Sequence, residues 1–159
     1  MVELTIQELK EEYQKASKKH KVPDFDKLNE HFELIFLTRK EFILRLCRRR
    51  MMDKLIFFMR ILENILYPNP QSQLSNYEST FFNDDQKKKL NELHRKMMVL
   101  ERQSIAIDIS PNEQRDADCI NKLWAEWPKL NEVMNEVSLD LEKAWQQEYK
   151  KDEGEKYFS

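Results

Sequence analysis

The sequence predicts an all-α protein, and two observations carry that prediction. Only one of the 159 residues, Gly154, is a glycine, whereas tight β-hairpins usually need glycine at positive φ. Apolar residues also recur at helical spacing behind capping residues through most of the chain. We therefore expect a single helical bundle of five or six helices around a long central helix. The predicted bundle domain covers residues 1–150, and residues 151–159 form a flexible tail.

Capping residues mark the first two predicted helices. Thr5 and Glu8 form a T-x-x-E capping box in front of an apolar stripe. Pro23 stops this helix, because proline cannot donate the next backbone hydrogen bond. Asp24 and Asp26 then open a second, shorter helix.

The long central helix is predicted from a second capping box. Thr38 and Glu41 precede an apolar run, and Pro68 and Pro70 follow it, so the helix covers about residues 39–67. On a helical wheel its apolar residues occupy more than half of the circumference. That pattern is typical of a buried helix at the centre of a bundle.

The segment after the long helix is a candidate contact loop. Residues 68–82 make a longer connection than helices in a bundle usually have, and the segment carries Tyr77, Phe81 and Phe82. We predict that these aromatic residues contribute to a partner or self-association surface. The alternative is a loop that packs on its own bundle.

Three further helices complete the predicted bundle. Asn83 with Gln86 starts the first of them. Ser110, followed by proline and then Glu113, starts the second, which Pro128 is expected to end. The last helix covers about residues 129–150.

Charge is distributed unevenly along the chain, although its formal net charge is only −2. Residues 38–60 contain eight lysines and arginines against two acidic residues, a net charge of +6, whereas residues 108–159 contain seven against thirteen, a net charge of −6. The basic helix can therefore be neutralised by the acidic C-terminal helices of the same chain. Arg48, Arg50 and Lys54 fall inside or beside the apolar arc and must snorkel or find partners. The remaining narrow stripe holds Arg45, Arg49 and Arg60.

The candidate basic surface consists of basic residues on the long helix: Arg45, Arg49, Arg50, Lys54 and Arg60. A nucleic-acid-associated factor using this basic stripe, within residues 39–60, is the alternative function. The net charge counts against it, because nucleic-acid modules usually have a basic excess.

The sequence contains no assembled catalytic, cofactor or metal motif. One glycine is too few for the phosphate-binding loops of nucleotide enzymes. The three histidines, His20, His31 and His94, lack the spacing that places two metal ligands on one helical face. Cys47 and Cys119 lie at or beside apolar stripes, where thiols are usually inert. We expect no catalytic, cofactor or metal site, and hence no enzyme.

Membrane insertion and secretion are not expected either. The most apolar window, residues 46–66, contains four arginines. Placing charged side chains in the bilayer costs several kcal/mol of free energy. The N-terminus lacks the basic and apolar regions of a secretion signal. The sequence thus predicts a non-catalytic cytoplasmic helical-bundle protein that acts through protein–protein contacts, with a protein partner or self-association.

Overall fold

The computed structural model describes the backbone of residues 3–156 and the side chains of residues 3–147. Over this part of the chain there are six α-helices, a short 3₁₀ helix at Leu34–Phe36 and no β-strand, which confirms the all-α prediction. In chain order the helices are α1 (Ile6–Lys19), α2 (Phe25–Phe32), α3 (Ile43–Leu66), α4 (Gln73–Thr80), α5 (Asp84–Ile109) and α6 (Glu113–Lys156). None of them, over the described residues, is both long and apolar enough to cross a membrane.

The chain packs as two compact units. Unit 1 consists of Met1–Phe57 and Lys96–Trp127, and unit 2 consists of Phe58–Arg95 and Pro128–Ser159. The helices α3, α5 and α6 each contribute residues to both units. The predicted limits of a single bundle domain, residues 1–150, stay a prediction.

Helix α1 forms as the capping box predicts. The backbone N–H of Glu8 donates to Thr5 Oγ1 at 3.2 Å, and the backbone N–H of Thr5 donates to Glu8 Oε2 at 2.8 Å. Both bonds satisfy donors that the first turn of a helix leaves without partners. Behind this cap α1 buries Leu9, Tyr13 and Ala16, which share one face at helical spacing.

Helix α3 begins four residues later than predicted. Phe42 has φ of 55°, outside the right-handed helical region, so the helix cannot extend past it toward the N-terminus. The first helical hydrogen bond runs from the N–H of Leu46 to the carbonyl of Phe42 at 3.2 Å. Within the described residues no hydrogen bond joins Thr38 to Glu41, so the predicted capping box is wrong.

The starts of α5 and α6 give one confirmed prediction and one wrong one. Asn83 and Gln86 exchange the reciprocal hydrogen bonds of a capping box, at 2.8 and 2.9 Å. The cap of α6 is Asn112, whose Oδ1 accepts from the N–H of Arg115 at 3.0 Å. Ser110 does not start α6, because its own N–H completes the last turn of α5.

Pro128 does not end a helix, contrary to the sequence prediction. Helix α6 continues through this position to Lys156. Proline removes one helical hydrogen bond, at a cost of about 3 kcal/mol. The nearby residues Trp127, in unit 1, and Leu130, in unit 2, are both buried. Burial of a large apolar side chain contributes about 1.5–3 kcal/mol to stability. Burial on both sides of the proline therefore offsets the lost bond.

The predicted tail is only partly described. The backbone of residues 151–156 is helical and belongs to α6. Residues 157–159 lie outside the described part of the chain, so the flexibility of the tail stays a prediction.

Two buried serines of α4 cap the end of α3 in unit 2. Ser75 donates its hydroxyl to the carbonyl of Asn64 at 3.1 Å, and Ser79 donates to the carbonyl of Ile65 at 2.7 Å. The last carbonyls of a helix lack partners inside the helix. Polar residues are therefore tolerated in the interior at these positions, because each hydroxyl is hydrogen-bonded.

Candidate functional site

A buried arginine on α3 is bound by acidic and polar groups from α5 and α6, all within unit 1. Arg48 is 1% exposed. Its Nε donates to Asp116 Oδ1 at 2.6 Å and its Nη2 to Asp108 Oδ1 at 2.5 Å. Its Nη1 donates to the carbonyl of Ser104 at 3.2 Å and also to the Ser104 hydroxyl. The predicted need of Arg48 for a partner is thus met by acidic residues from the C-terminal half of the chain.

These contacts determine the charge states of the network. Burial lowers the pKa of the Arg48 guanidinium, but its hydrogen bonds to Asp108 and Asp116 more than compensate, so the pKa is raised. Burial likewise works against ionisation of Asp108, yet the hydrogen bonds and charges of Arg48 and Arg49 hold its pKa below the usual value. The arginine and Asp108 are therefore both charged at neutral pH.

The lowered pKa of Asp108 predicts acid-sensitive stability. A carboxyl group whose pKa is lower in the folded state stabilises the fold above its unfolded pKa of about 3.9, and this stability is lost as the pH falls through the folded value. We expect Asp108→Asn to show a shallower loss of stability than the wild type between about pH 5 and pH 2. Urea unfolding across this range measures the effect. The exposed Asp118→Asn variant should keep the wild-type slope, and equal slopes in all three proteins would contradict the assignment.

Two residues of the candidate basic surface bind the end of a neighbouring helix. Arg50 Nε donates to the carbonyl of Phe32 at 3.1 Å, and Lys54 Nζ donates to the carbonyl of His31 at 2.6 Å. Both carbonyls belong to the last turn of α2, where cations offset the negative end of the helix dipole. The Lys54 ammonium also lies 5.5 Å from the centre of the Trp127 ring. These two cations therefore serve the internal packing of unit 1.

The other three members of the candidate basic surface have different surroundings. Arg49 is half-exposed and donates to Asp108 at 3.1 Å. The Arg45 guanidinium lies 4.6 Å from the centre of the Phe42 ring. Arg60 is exposed and belongs to unit 2, whereas the other four belong to unit 1. Among the described residues, three of those four are bonded to acceptors of their own unit, and Arg45 is the exception.

The candidate contact loop packs inside unit 2. Phe82 is buried, and the Tyr77 hydroxyl donates to the carbonyl of Ala144 on α6 at 2.5 Å. The Tyr77 ring lies 5.1 Å from that of Phe81 and 5.0 Å from that of Trp145. The loop therefore packs on its own helices, which was the alternative considered from the sequence. Contact of these aromatic residues with a partner stays a prediction.

A second apolar stripe on α5 was missed from the sequence. We call it the outer face of α5, and it consists of Met98, Val99, Ile105, Ala106 and Ile109. Val99 is 57% exposed and Ile109 is 77% exposed. These apolar residues lie on the side of α5 opposite its buried residues, which include Leu93, Met97 and Ile107. A helical wheel of the sequence shows both stripes, so the second one was detectable.

A shallow groove follows this outer face. It has a volume of about 420 Å³ and is lined by Met98, Val99, Arg102, Gln103 and Ala106. Gln103 and Ala106 also line a neighbouring groove of about 260 Å³ between α5 and α6. The outer face is therefore an open, shallow apolar surface beside a second groove.

Comparisons with known proteins were made at the level of families, single proteins and solved structures. No family model, no curated protein and no solved structure matches this chain. The function of the chain is therefore inferred from its own residues and their contacts.

The two cysteines are poorly suited to nucleophilic chemistry. Cys47 and Cys119 are free thiols and both are buried. Burial raises the pKa of each thiol above its usual value, which disfavours the reactive thiolate. Among the described residues, no three histidine, cysteine or acidic side chains are grouped as metal ligands would be.

Proposed function

We propose that this protein is a non-catalytic binding module that acts through contact with another protein, and that the outer face of α5 is its contact surface. The observation that carries the proposal is the exposure of Val99 and Ile109 at the two ends of one apolar stripe. Each Å² of apolar surface left in water forgoes about 25 cal/mol of burial energy. Contiguous apolar stripes of this kind are typical of interaction sites.

The composition of α5 supports the proposal. A helix that buries one stripe normally carries polar and charged residues on the opposite side. Between Met98 and Ile109 the outer face carries one charged residue, Arg102, whose guanidinium bridges to Glu101 at 3.1 Å. The alkyl stem of an arginine can itself cover apolar surface, so Arg102 is compatible with an apolar contact.

The nucleic-acid alternative has weaker support. Binding to phosphates needs lysines and arginines that are free to replace counterions. Arg49, Arg50 and Lys54 are instead bonded within unit 1. For location we infer the cytoplasm, where two unpaired thiols are the ordinary state of cysteine.

Site-specific crosslinking in the producing cell tests the contact surface. A photoreactive phenylalanine analogue placed at Ala106 should form one discrete adduct with a protein partner. Adding Val99→Arg and Ile109→Arg should abolish it, because two charges cannot be buried in an apolar contact. Both positions are exposed, so the double substitution should change stability by less than about 0.5 kcal/mol.

The matched control places the same analogue at Gln14, an exposed polar position on α1. It should form no discrete adduct. If Ala106 gives no adduct, or if the adducts at both positions are the same and survive the arginine substitutions, the outer face of α5 is not a contact surface. An adduct of two copies of this chain would identify the partner as a second copy.

A further inference from the structure

Unit 1 also contains a cleft of about 410 Å³ at the start of α3. Residues of α1, of the start of α3 and of the start of α6 line it, and we call it the Arg45 cleft. Its aromatic wall is Phe42, which is 72% exposed. The start of the basic segment, residues 38–60, thus lines an open cleft, although Arg48, Arg49, Arg50 and Lys54 are bonded elsewhere in unit 1.

Arg45 is the residue that makes this cleft chemically distinctive. Its guanidinium lies over the Phe42 ring, with its central carbon 4.6 Å from the ring centre, a distance at which a cation is attracted to the ring face. Its Nε is buried, yet it has no hydrogen-bond partner among the described residues. A buried charged donor without an acceptor is costly. A ligand that supplies an acceptor would therefore remove an existing cost as well as form a new bond.

The acidic residues that line the cleft are largely engaged with cations. Asp116 accepts from Arg48 at 2.6 Å, and Glu12 lies 3.4 Å from Lys15 Nζ. Glu113 is half-exposed and lies at the entrance from α6. Asp116 and Glu12 therefore offer little attraction to an external cation.

The basic residues of the cleft are less engaged. Lys15 forms an ion pair with Glu12. Within the described part of the chain, neither Lys19 nor Arg45 forms an ion pair, and both line the cleft. The available charge in the cleft is thus positive and is held by these two side chains.

We propose that the Arg45 cleft binds a carboxylate of an acidic peptide segment from a partner protein. Arg45 donates to the carboxylate oxygens, and guanidinium groups suit that planar acceptor. Lys19 adds a second positive charge, and the exposed Phe42 ring contacts an apolar neighbour of the acidic residue. This proposal does not depend on the outer face of α5 being a contact surface.

A carboxylate fits the cleft better than a phosphate does. Glu113 lines the same space and is half-exposed, and like charges repel an incoming anion. A phosphate group carries about −1.5 to −2 at neutral pH, whereas a carboxylate carries one charge. The mixed lining therefore favours the smaller charge together with apolar contact to Phe42.

The Arg45 Nε–H resonance in a ¹⁵N-correlated spectrum reports directly on the site. Titration of the full chain with N-acetyl-leucyl-glutamyl-leucine amide, which carries one carboxylate between two apolar residues, should shift this resonance in a saturable way. Arg45→Gln should weaken binding by about tenfold or more, because the charged donor is lost. Lys19→Gln, at an exposed position that leaves the packing intact, should weaken it by a smaller factor. Arg39→Gln is the matched control, since Arg39 is an exposed arginine close in sequence that does not line the cleft.

Each outcome decides the proposal. It stands if the peptide shifts the Arg45 resonance, if Arg45→Gln and Lys19→Gln weaken binding and if Arg39→Gln does not. It fails if inorganic phosphate binds and the peptide does not, if all three variants weaken binding equally, or if the Arg45 resonance never moves. The Val99→Arg and Ile109→Arg double variant should bind the peptide as the wild type does, so failure of one surface is distinguishable from failure of the other.

Discussion

Replacing Arg48 with methionine is expected to lower the free energy of unfolding by about 3–5 kcal/mol. Methionine keeps most of the apolar stem but removes the guanidinium, so the carboxylate of Asp116 remains buried without its cation. The hydroxyl and carbonyl of Ser104 lose their donor as well. Urea unfolding at neutral pH measures the change. A Trp145→Phe background leaves Trp124 and Trp127 as the only tryptophans, and both report on unit 1.

Arg49→Met is the matched control for this prediction. Arg49 binds the same Asp108 but is half-exposed, and exposed ion pairs contribute about 0–1 kcal/mol. Combining Arg48→Met with Asp116→Leu should recover much of the loss, because an apolar pair replaces a broken ionic one. Equal losses in Arg48→Met and Arg49→Met would mean that the buried network contributes nothing special to stability.

Local patterns explain which parts of the fold were predictable. The capping boxes at Thr5 with Glu8 and at Asn83 with Gln86 were correct, because a box needs only residues three positions apart. The box at Thr38 with Glu41 has the same pattern and does not form. The conformation of Phe42 decides this outcome, and a single backbone angle is set by packing that a local pattern does not contain.

Pro128 shows a local signal overridden by burial. The hydrogen bond that proline removes is a local effect, and it can be inferred from the sequence alone. The compensating burial of Trp127 and Leu130 depends on which residues of the fold surround them. A stop signal with strongly apolar neighbours on both sides is therefore weaker evidence for a helix end than an isolated proline.

The charge balance of the candidate site could be predicted from the sequence, but the residues that form its ion pairs could not. The excess of +6 against −6 indicated that basic and acidic parts of the chain could meet, and Arg48 does meet Asp108 and Asp116. The partners lie 60 and 68 positions away in sequence, and net charge carries no information on pairing over such separations. The helical wheel already separated Arg50 and Lys54, which cap α2, from Arg45 on the narrow stripe. It carries no information on hydrogen bonding, so it did not predict that Arg45 Nε has no partner among the described residues.

Leu62→Ala is expected to lower the free energy of unfolding by about 2–5 kcal/mol. Leu62 lies in the part of α3 that belongs to unit 2 and is completely buried. Removing its side-chain atoms loses their burial and leaves a cavity, since close-packed surroundings relax only partly. As an apolar residue of the long helix, Leu62 belongs to the surface that the sequence predicts to be buried.

Leu139→Ala makes the same chemical change in the same unit at an exposed position of α6. Because the leucine there is already in water, its loss should cost less than about 0.5 kcal/mol. Urea unfolding followed by circular dichroism compares the two variants under one set of conditions. A cost for Leu62→Ala no larger than that for Leu139→Ala would mean that α3 is not the buried helix of unit 2. A large cost at Leu62 alone ties the stability of that unit to the apolar arc of α3.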